Sequence, residues 1–291
     1  GEAKITPTVK AGFRVEFGFN DLVAADIGPV DDMLNTLSIR QSHVWIESMT
    51  LGRMTLGKAS TSTDGIAEIS TANTTVAAKM LDLEPVSSAF LFGLVNLPFD
   101  GGRRNVVRYD SPSMGGFGVS ASYGHGDRIG PLALTGDATD TVWDVAIKYA
   151  GEFSGIRLAA GVGYRKEEHN ALGAFALTPQ DAVLSGSASV MHLGSGLFLN
   201  AAYGKASELG GPGSPTDMTG YHFQGGWERN LSGLGATTLF AEWGTLKITG
   251  APDDATLLGL GAVQAIDAAA LDLYANWRQF DLGGGGDDKV N

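Results

Sequence analysis

Apolar and polar residues alternate with a period of two along most of this chain. In Phe117-Gly118-Val119-Ser120-Ala121-Ser122-Tyr123 the odd positions are apolar or aromatic and the even ones small or polar. The same rule governs Trp143–Tyr149, Leu158–Tyr164, Leu197–Tyr203, Tyr221–Trp227 and Leu239–Trp243. Successive side chains of a strand point to opposite faces, so each segment predicts a strand with one apolar face and one polar or tiny face. Nothing comparable recurs at helical spacing.

The connections fall into two alternating classes. Short ones lie near residues 6–8, 49–52, 112–115, 151–154, 194–196, 231–235 and 267–269. Long ones, rich in Gly and Asp, lie near 20–35, 59–104, 125–140, 166–181, 205–218, 248–256 and 282–291. Strict alternation predicts antiparallel neighbours with every short turn at one end, the pattern of a transmembrane β-barrel of the outer-membrane type. Aromatic residues orient it independently. Tyr123, Tyr164, Tyr203, Trp243 and Trp277 come just before long loops, while Tyr109, Tyr149 and Trp227 come just before short turns. Two aromatic girdles around a lipid-facing band require that sorting. The segments make about fourteen strands, from a stub at Gly1–Ile5 to Leu271–Leu282, after which the chain stops in mid-loop. An open edge in lipid leaves backbone groups unpaired, so one more strand at each end, about sixteen in all, is expected in the complete protein. Residues 1–291 are thus read as one all-β barrel domain, incomplete at both ends.

Composition narrows the function. Lys plus Arg number 20 against 32 Asp plus Glu, a net charge of −12, which argues against nucleic acid as a partner. Cysteine is absent, so disulfides, thiolate metal sites and cysteine nucleophiles are excluded. Glycine stands at 42 residues, about twice the usual share. No stretch approaches the ~18 consecutive apolar residues of a membrane-spanning helix. Gly1-Glu2-Ala3-Lys4 has neither the basic start nor the apolar core of an export signal, so a mature or trimmed chain is expected.

Two stretches carry a family likeness. One runs from Ile39-Arg40-Gln41 through Gly52-Arg53-Met54-Thr55-Leu56-Gly57-Lys58, a hairpin entering a long loop. The other is Asn105-Val106-Val107-Arg108-Tyr109-Asp110-Ser111-Pro112, then Gly115-Gly116-Phe117 and a strand ending at Tyr123-Gly124. They resemble the strands flanking the constriction loop of general Gram-negative porins, of the alphaproteobacterial type, and the strand periodicity extends the likeness over nearly the whole chain. The resemblance implies a homotrimer of barrels, each with its own pore. That family usually closes on a strand with a terminal aromatic residue; Asn291 departs from this, which fits a truncated chain.

Residues 59–104 are too long for a plain connection and mix Asp64, Glu68, Asp82 and Glu84 with the apolar run Phe90-Leu91-Phe92-Gly93-Leu94-Val95. A loop folded inward packs the apolar run on the wall and turns the carboxylates across the lumen, and the porin resemblance implies the same constriction loop. Opposite it, Arg14, Arg53 and Arg108 alternate with apolar residues and so face the lumen. Arg40 sits in the least regular strand, Leu37–Ser48, where alternation does not fix its direction. Acids facing guanidinium groups set up a transverse field that orders dipolar solutes and disfavours large apolar ones. Arg157, Arg165, Lys148 and Arg278 are read as lumen charges remote from the constriction.

Other chemistry is thin. Gly52 through Ala59 matches a phosphate-binding loop except that Ala59 replaces the Ser or Thr, and Met54 and Leu56 alternate as a strand. His43, His125, His169, His192 and His222 show no metal-ligand spacing, so no metal site or cofactor is expected. Asp31-Asp32, Asp253-Asp254 and Asp287-Asp288 are solvated loop charge, with calcium or magnesium bridging to lipid phosphates as the sharper alternative. No Ser–His–Asp constellation stands out, so no enzyme is expected. The sequence therefore predicts passive diffusion of small hydrophilic solutes and ions across a bacterial outer membrane, in contact with its lipid and lipopolysaccharide. A substrate-specific barrel channel shares the fold, and a soluble Gly-rich β adhesin is the remaining alternative.

Overall fold

The structure, a computed structural model, describes residues 1–19, 37–81, 99–127, 139–168, 180–207, 217–250, 254–281 and 289–290. Its strands are β1 (Glu2–Thr6), β2 (Val9–Phe19), β3 (Leu37–Ser48), β4 (Gly52–Ser60), β5 (Arg103–Asp110), β6 (Phe117–Asp127), β7 (Thr139–Phe153) and β8 (Ile156–Glu168). They continue as β9 (Gln180–His192), β10 (Leu197–Ser207), β11 (Met218–Arg229), β12 (Thr237–Ile248), β13 (Ala255–Ile266), β14 (Leu271–Asp281) and β15 (Lys289–Val290). All lie in one sheet in strict chain order, and every neighbouring pair is antiparallel. Consecutive hairpins produce that order because each strand pairs with the one just made.

Three details differ from the sequence expectation. Lys289 and Val290 pair with Asp281 and Phe280, so the chain does not stop in mid-loop but begins a further strand. Two residues next to a glycine run carry no periodicity to read. The long connection between β4 and β5 spans residues 61–102, since both flanking strands extend further than the alternation suggested. The last short turn contains a single 3-10 turn, Asp267–Ala269.

The two faces of the sheet reverse the order of a soluble protein. Large apolar side chains lie bare on the outside, such as Phe13 at 57% and Leu197 at 59% exposed. Meanwhile Asn200, His222, Gln224 and Glu242 are buried on the inside. An apolar outer band with a polar interior suits strands whose outer solvent is lipid. The aromatic residues named from sequence, Tyr109, Tyr123, Tyr149, Tyr164, Tyr203, Trp227, Trp243 and Trp277, alternate with the inward positions and share that outer face. Several touch across strands: Phe117–Tyr149 at 4.7 Å, Trp143–Tyr164 at 5.5 Å and Tyr203–Tyr221 at 5.3 Å between ring centroids. Trp143 and Tyr221 thus join the outer belt, although sequence reading did not single them out. They sit early in strands running away from a long loop, not at the strand ends where the other girdle residues lie.

The packed core lies inside the sheet. Ala67, Met80, Leu81 and Phe99 of the long connection pack with Val183, Ala206, Met218, Leu246, Leu257 and Phe280 of the wall. A second cluster joins Ala72 and Ala78 to Met191, Phe198, Phe240 and Val263. Residues 61–81 therefore lie against the inner face of the sheet, which carries them from β6 to β14.

Candidate functional site

The inner segment is held by inward polar side chains, one strand after another. On β6 and β7, Ser122 Oγ donates to Asp144 Oδ1. The same Asp144 carboxylate accepts from the Ser62 N–H at 3.2 Å, the Thr63 N–H at 2.8 Å and Thr63 Oγ1 at 2.7 Å. Several donors converging on one buried carboxylate offset its loss of water. On β9, Ser187 Oγ accepts from the Ile69 N–H and donates to the Ile66 carbonyl, while Ser189 Oγ accepts from the Thr71 N–H. The backbone thereby finds its partners on the wall.

The far end of the segment is clasped by β11, β12 and β14. His222 Nδ1 accepts from the Leu81 N–H at 2.7 Å, which leaves Nε2 to donate to Glu242 Oε2 at 3.0 Å. Arg278 donates to both oxygens of Glu242, at 2.7 and 3.2 Å, and Gln224 Nε2 donates to Oε2 at 3.1 Å. The clasp continues to the segment backbone. Arg278 Nη2 donates to the Lys79 carbonyl at 3.1 Å, Gln224 Nε2 to the Ala78 carbonyl at 2.8 Å and Asn276 Nδ2 to the Ala77 carbonyl at 2.5 Å.

The predicted acidic residues divide. Asp82, Glu84 and the apolar run Phe90–Val95 lie outside the described residues. Glu68 is half-buried and pairs with Lys79 of the same segment at 3.0 Å. Asp64 lies beside Asp100, which the sequence reading did not name. Burial, then the neighbouring Asp64 carboxylate, pushes the Asp100 carboxyl up to about 7, against the Gly65 N–H that it accepts. The signal for Asp100 was slight: one acid before Gly101-Gly102 reads as a turn residue.

The predicted arginines divide as well. Arg14 and Arg40 both reach Glu16, at 2.7 and 2.8 Å, on the inner face of β2 and β3. A register shift between Glu16 and Phe17 brings Arg40 inward together with Gln41, which also donates to Glu16. This bulge is why alternation alone could not orient Arg40. Arg53 lies with its guanidinium carbon 4.3 Å from the centre of the Trp45 ring. Arg108 departs from an open wall charge: it donates to Asp110 and to the Ser60 and Thr61 carbonyls, clasping the start of the segment.

Two charges read as remote are corrected. Arg278 belongs to the clasp, and Arg165 Nη1 donates to the Asp100 carbonyl at 2.6 Å. Both contacts join residues far apart in sequence, so no local pattern announces them. Arg157 pairs with Glu152 at 2.6 Å beside a short turn, and Lys148 stands on the inner register of β7. Gly52 through Ala59 lies in strand β4, the context in which a phosphate-binding loop does not form. Of the loop aspartates only Asp254 is described; it pairs with Lys247 at 3.1 Å. Among the described residues no group of three His, Cys, Asp or Glu has metal-binding geometry.

Comparison with known proteins agrees with this architecture. A family model described as Gram-negative porin matches residues 5–288. No curated protein matches the sequence. Among solved structures, the chain is similar to an anion-selective porin from Comamonas acidovorans, with TM-score 0.63 and 15% identity over 96% of this chain and 76% of that one. It is also similar to the outer membrane protein OmpT of Vibrio cholerae in its trimer form, with TM-score 0.60 and 15% identity over 96% and 78%. OmpF of Salmonella typhi in complex with daunomycin gives TM-score 0.58 and 12% identity over 99% and 82%. At such identities the likeness speaks to the fold, a β-barrel.

Proposed function

This chain belongs to the Gram-negative porin family, outer-membrane β-barrels whose water-filled pore passes small hydrophilic solutes and ions by passive diffusion, and from that premise we propose where its selectivity resides. Residues 61–102 form the constriction loop, and Asp64, Glu68 and Asp100 give the loop its acidic side. Arg14, Arg40 and Arg53 on β2–β4 give the wall its basic side. The observation that supports this reading is the run of contacts binding residues 62–81 to β6 through β14. A segment spread over that part of the wall leaves β2–β4 to border the remaining opening. Ions then pass between the two sides, and opposed charges there fix a local field stronger than in bulk water.

The barrel assembles as a homotrimer, a reading supported by the trimer form of the Vibrio cholerae protein that it resembles. Its apolar outer band meets lipid, and the outer leaflet brings lipopolysaccharide against the upper girdle.

Single-channel recording of the full-length protein in a planar bilayer, under a KCl gradient, tests the reading. Large ohmic steps closing in threes are expected. Replacing Arg14 and Arg40 together by Gln is expected to move the reversal potential towards cation preference, and Asp64→Asn to move it towards anions. Folded, inserted protein that carries no current overturns the pore assignment. Unchanged reversal potentials overturn the assignment of these charges.

A further inference from the structure

The wall arginines do not all have carboxylate partners. Arg14 and Arg40 share Glu16, and Arg108 has Asp110. Arg53 forms no ion pair with a described carboxylate; Glu47 and Asp110 are its cross-strand neighbours, but Asp110 is taken by Arg108. What holds Arg53 is the Trp45 ring beneath it, 4.3 Å away. This contact places a cation over an electron-rich face. The indole is braced on the neighbouring strand. It lies so close to Gly12 that a Cβ there would meet ring atoms at 2.6 and 2.7 Å.

The pair faces the pore interior. Trp45 stands opposite Gly12 and Thr55, with Arg53 one inward position back towards the start of β4, while the intervening Ile46 and Met54 are exposed on the lipid side. The next inward rung carries Arg14 opposite His43. Arg53 is half-buried, so part of the residue remains open to water. A guanidinium seated over an indole can keep its second face and the N–H groups of its edge available. Those N–H groups match the two oxygens of a carboxylate, and the flat second face matches a ring or another planar group.

From this geometry we propose that Trp45 and Arg53 form a docking site for planar carboxylates, with aromatic carboxylates held best, on the pore wall. The inference rests on the reading of the chain as a pore and names a solute class for it. The carboxylate lies against the guanidinium edge, and the ring stacks on the guanidinium face away from Trp45. Binding is reversible and passage stays diffusive, so the site adds preference without a reaction.

The test is block of ion current by benzoate in planar bilayers, with acetate and benzyl alcohol as probes lacking the ring or the charge. Each channel's current is referred to its own KCl conductance. Wild type is expected to show concentration-dependent reduction by benzoate, and much weaker effects from the other two probes. Trp45→Leu and Arg53→Gln are each expected to weaken benzoate block about tenfold, or about 1.4 kcal/mol. Arg157→Gln, remote beside a turn, is expected to keep wild-type block. Channels that conduct KCl but show no benzoate block, or equal block in all four proteins, overturn the docking site and leave the pore standing. Equal block by acetate and benzoate overturns the aromatic preference. Absence of KCl current overturns the pore reading itself.

Discussion

Asp100 is expected to make the pore sensitive to pH near neutrality. Its ordinary pKa is 3.8, and burial with the Asp64 carboxylate at its side raises this to about 7. A carboxyl raised on folding favours the folded state most at low pH. That contribution falls as pH climbs from about 4 and is gone above about 7. In the folded protein, ionisation centred at about 7 adds negative charge to the loop. The reversal potential is therefore expected to shift towards cation preference between about pH 6 and about pH 8. Asp100→Asn, which retains an oxygen for the Gly65 N–H, is expected to abolish that shift. A shift that survives the substitution assigns the titration to another group. Residue identity alone did not show this. Asp64 was legible as a loop acid, but its neighbour across the folded segment was not.

At the scale of elements, alternation was a sound guide because the two faces of each strand meet different media. Strands such as β10 could be read directly, from Leu197, Leu199 and Tyr203 outside to Asn200 and Ala202 inside. The work done by the inner face was not legible. Ser187, Ser189, Asn200 and Gln224 read merely as polar positions, since their partners in the segment lie more than a hundred residues away. Glycine on β8 is part of the same cradle. A Cβ at Gly163 would meet Thr63 Cγ2 at 2.6 Å, and one at Gly161 would meet Ile66 Cδ1 at 2.6 Å. Gly163→Val is accordingly expected to push Thr63 away from Asp144, lower stability by about 1–3 kcal/mol and raise single-channel conductance. Wild-type conductance and an unchanged unfolding midpoint would show that the wall yields there instead.

For the molecule as a whole, the clasp at Glu242 adds a polar fastening to the apolar clusters inside the sheet. It ties the segment to β11, β12 and β14 through His222, Gln224 and Arg278. Breaking a buried pair on one side costs about 3–5 kcal/mol, because the surviving charge stays buried without its partner. Glu242→Leu is expected to lose an amount of that order in urea unfolding monitored in detergent. The segment should also loosen, and open-channel current noise should increase. Stability lost without added noise would assign Glu242 to the wall alone.

The span of these contacts bears on how the protein reaches its folded state. Asn73 and Asp272 join residues 199 apart, and so do Lys79 and Arg278. Hairpins zip locally, but these pairings must await strands made much later, and closing such large loops is entropically slow. During that wait residues 77–81 lack their partners on β11 and β14. The strand ladder and the inner segment should consequently mature on separate clocks. A sheet already resistant to unfolding would precede the channel's final conductance, and the inner segment would be the last part of the interior to be finished.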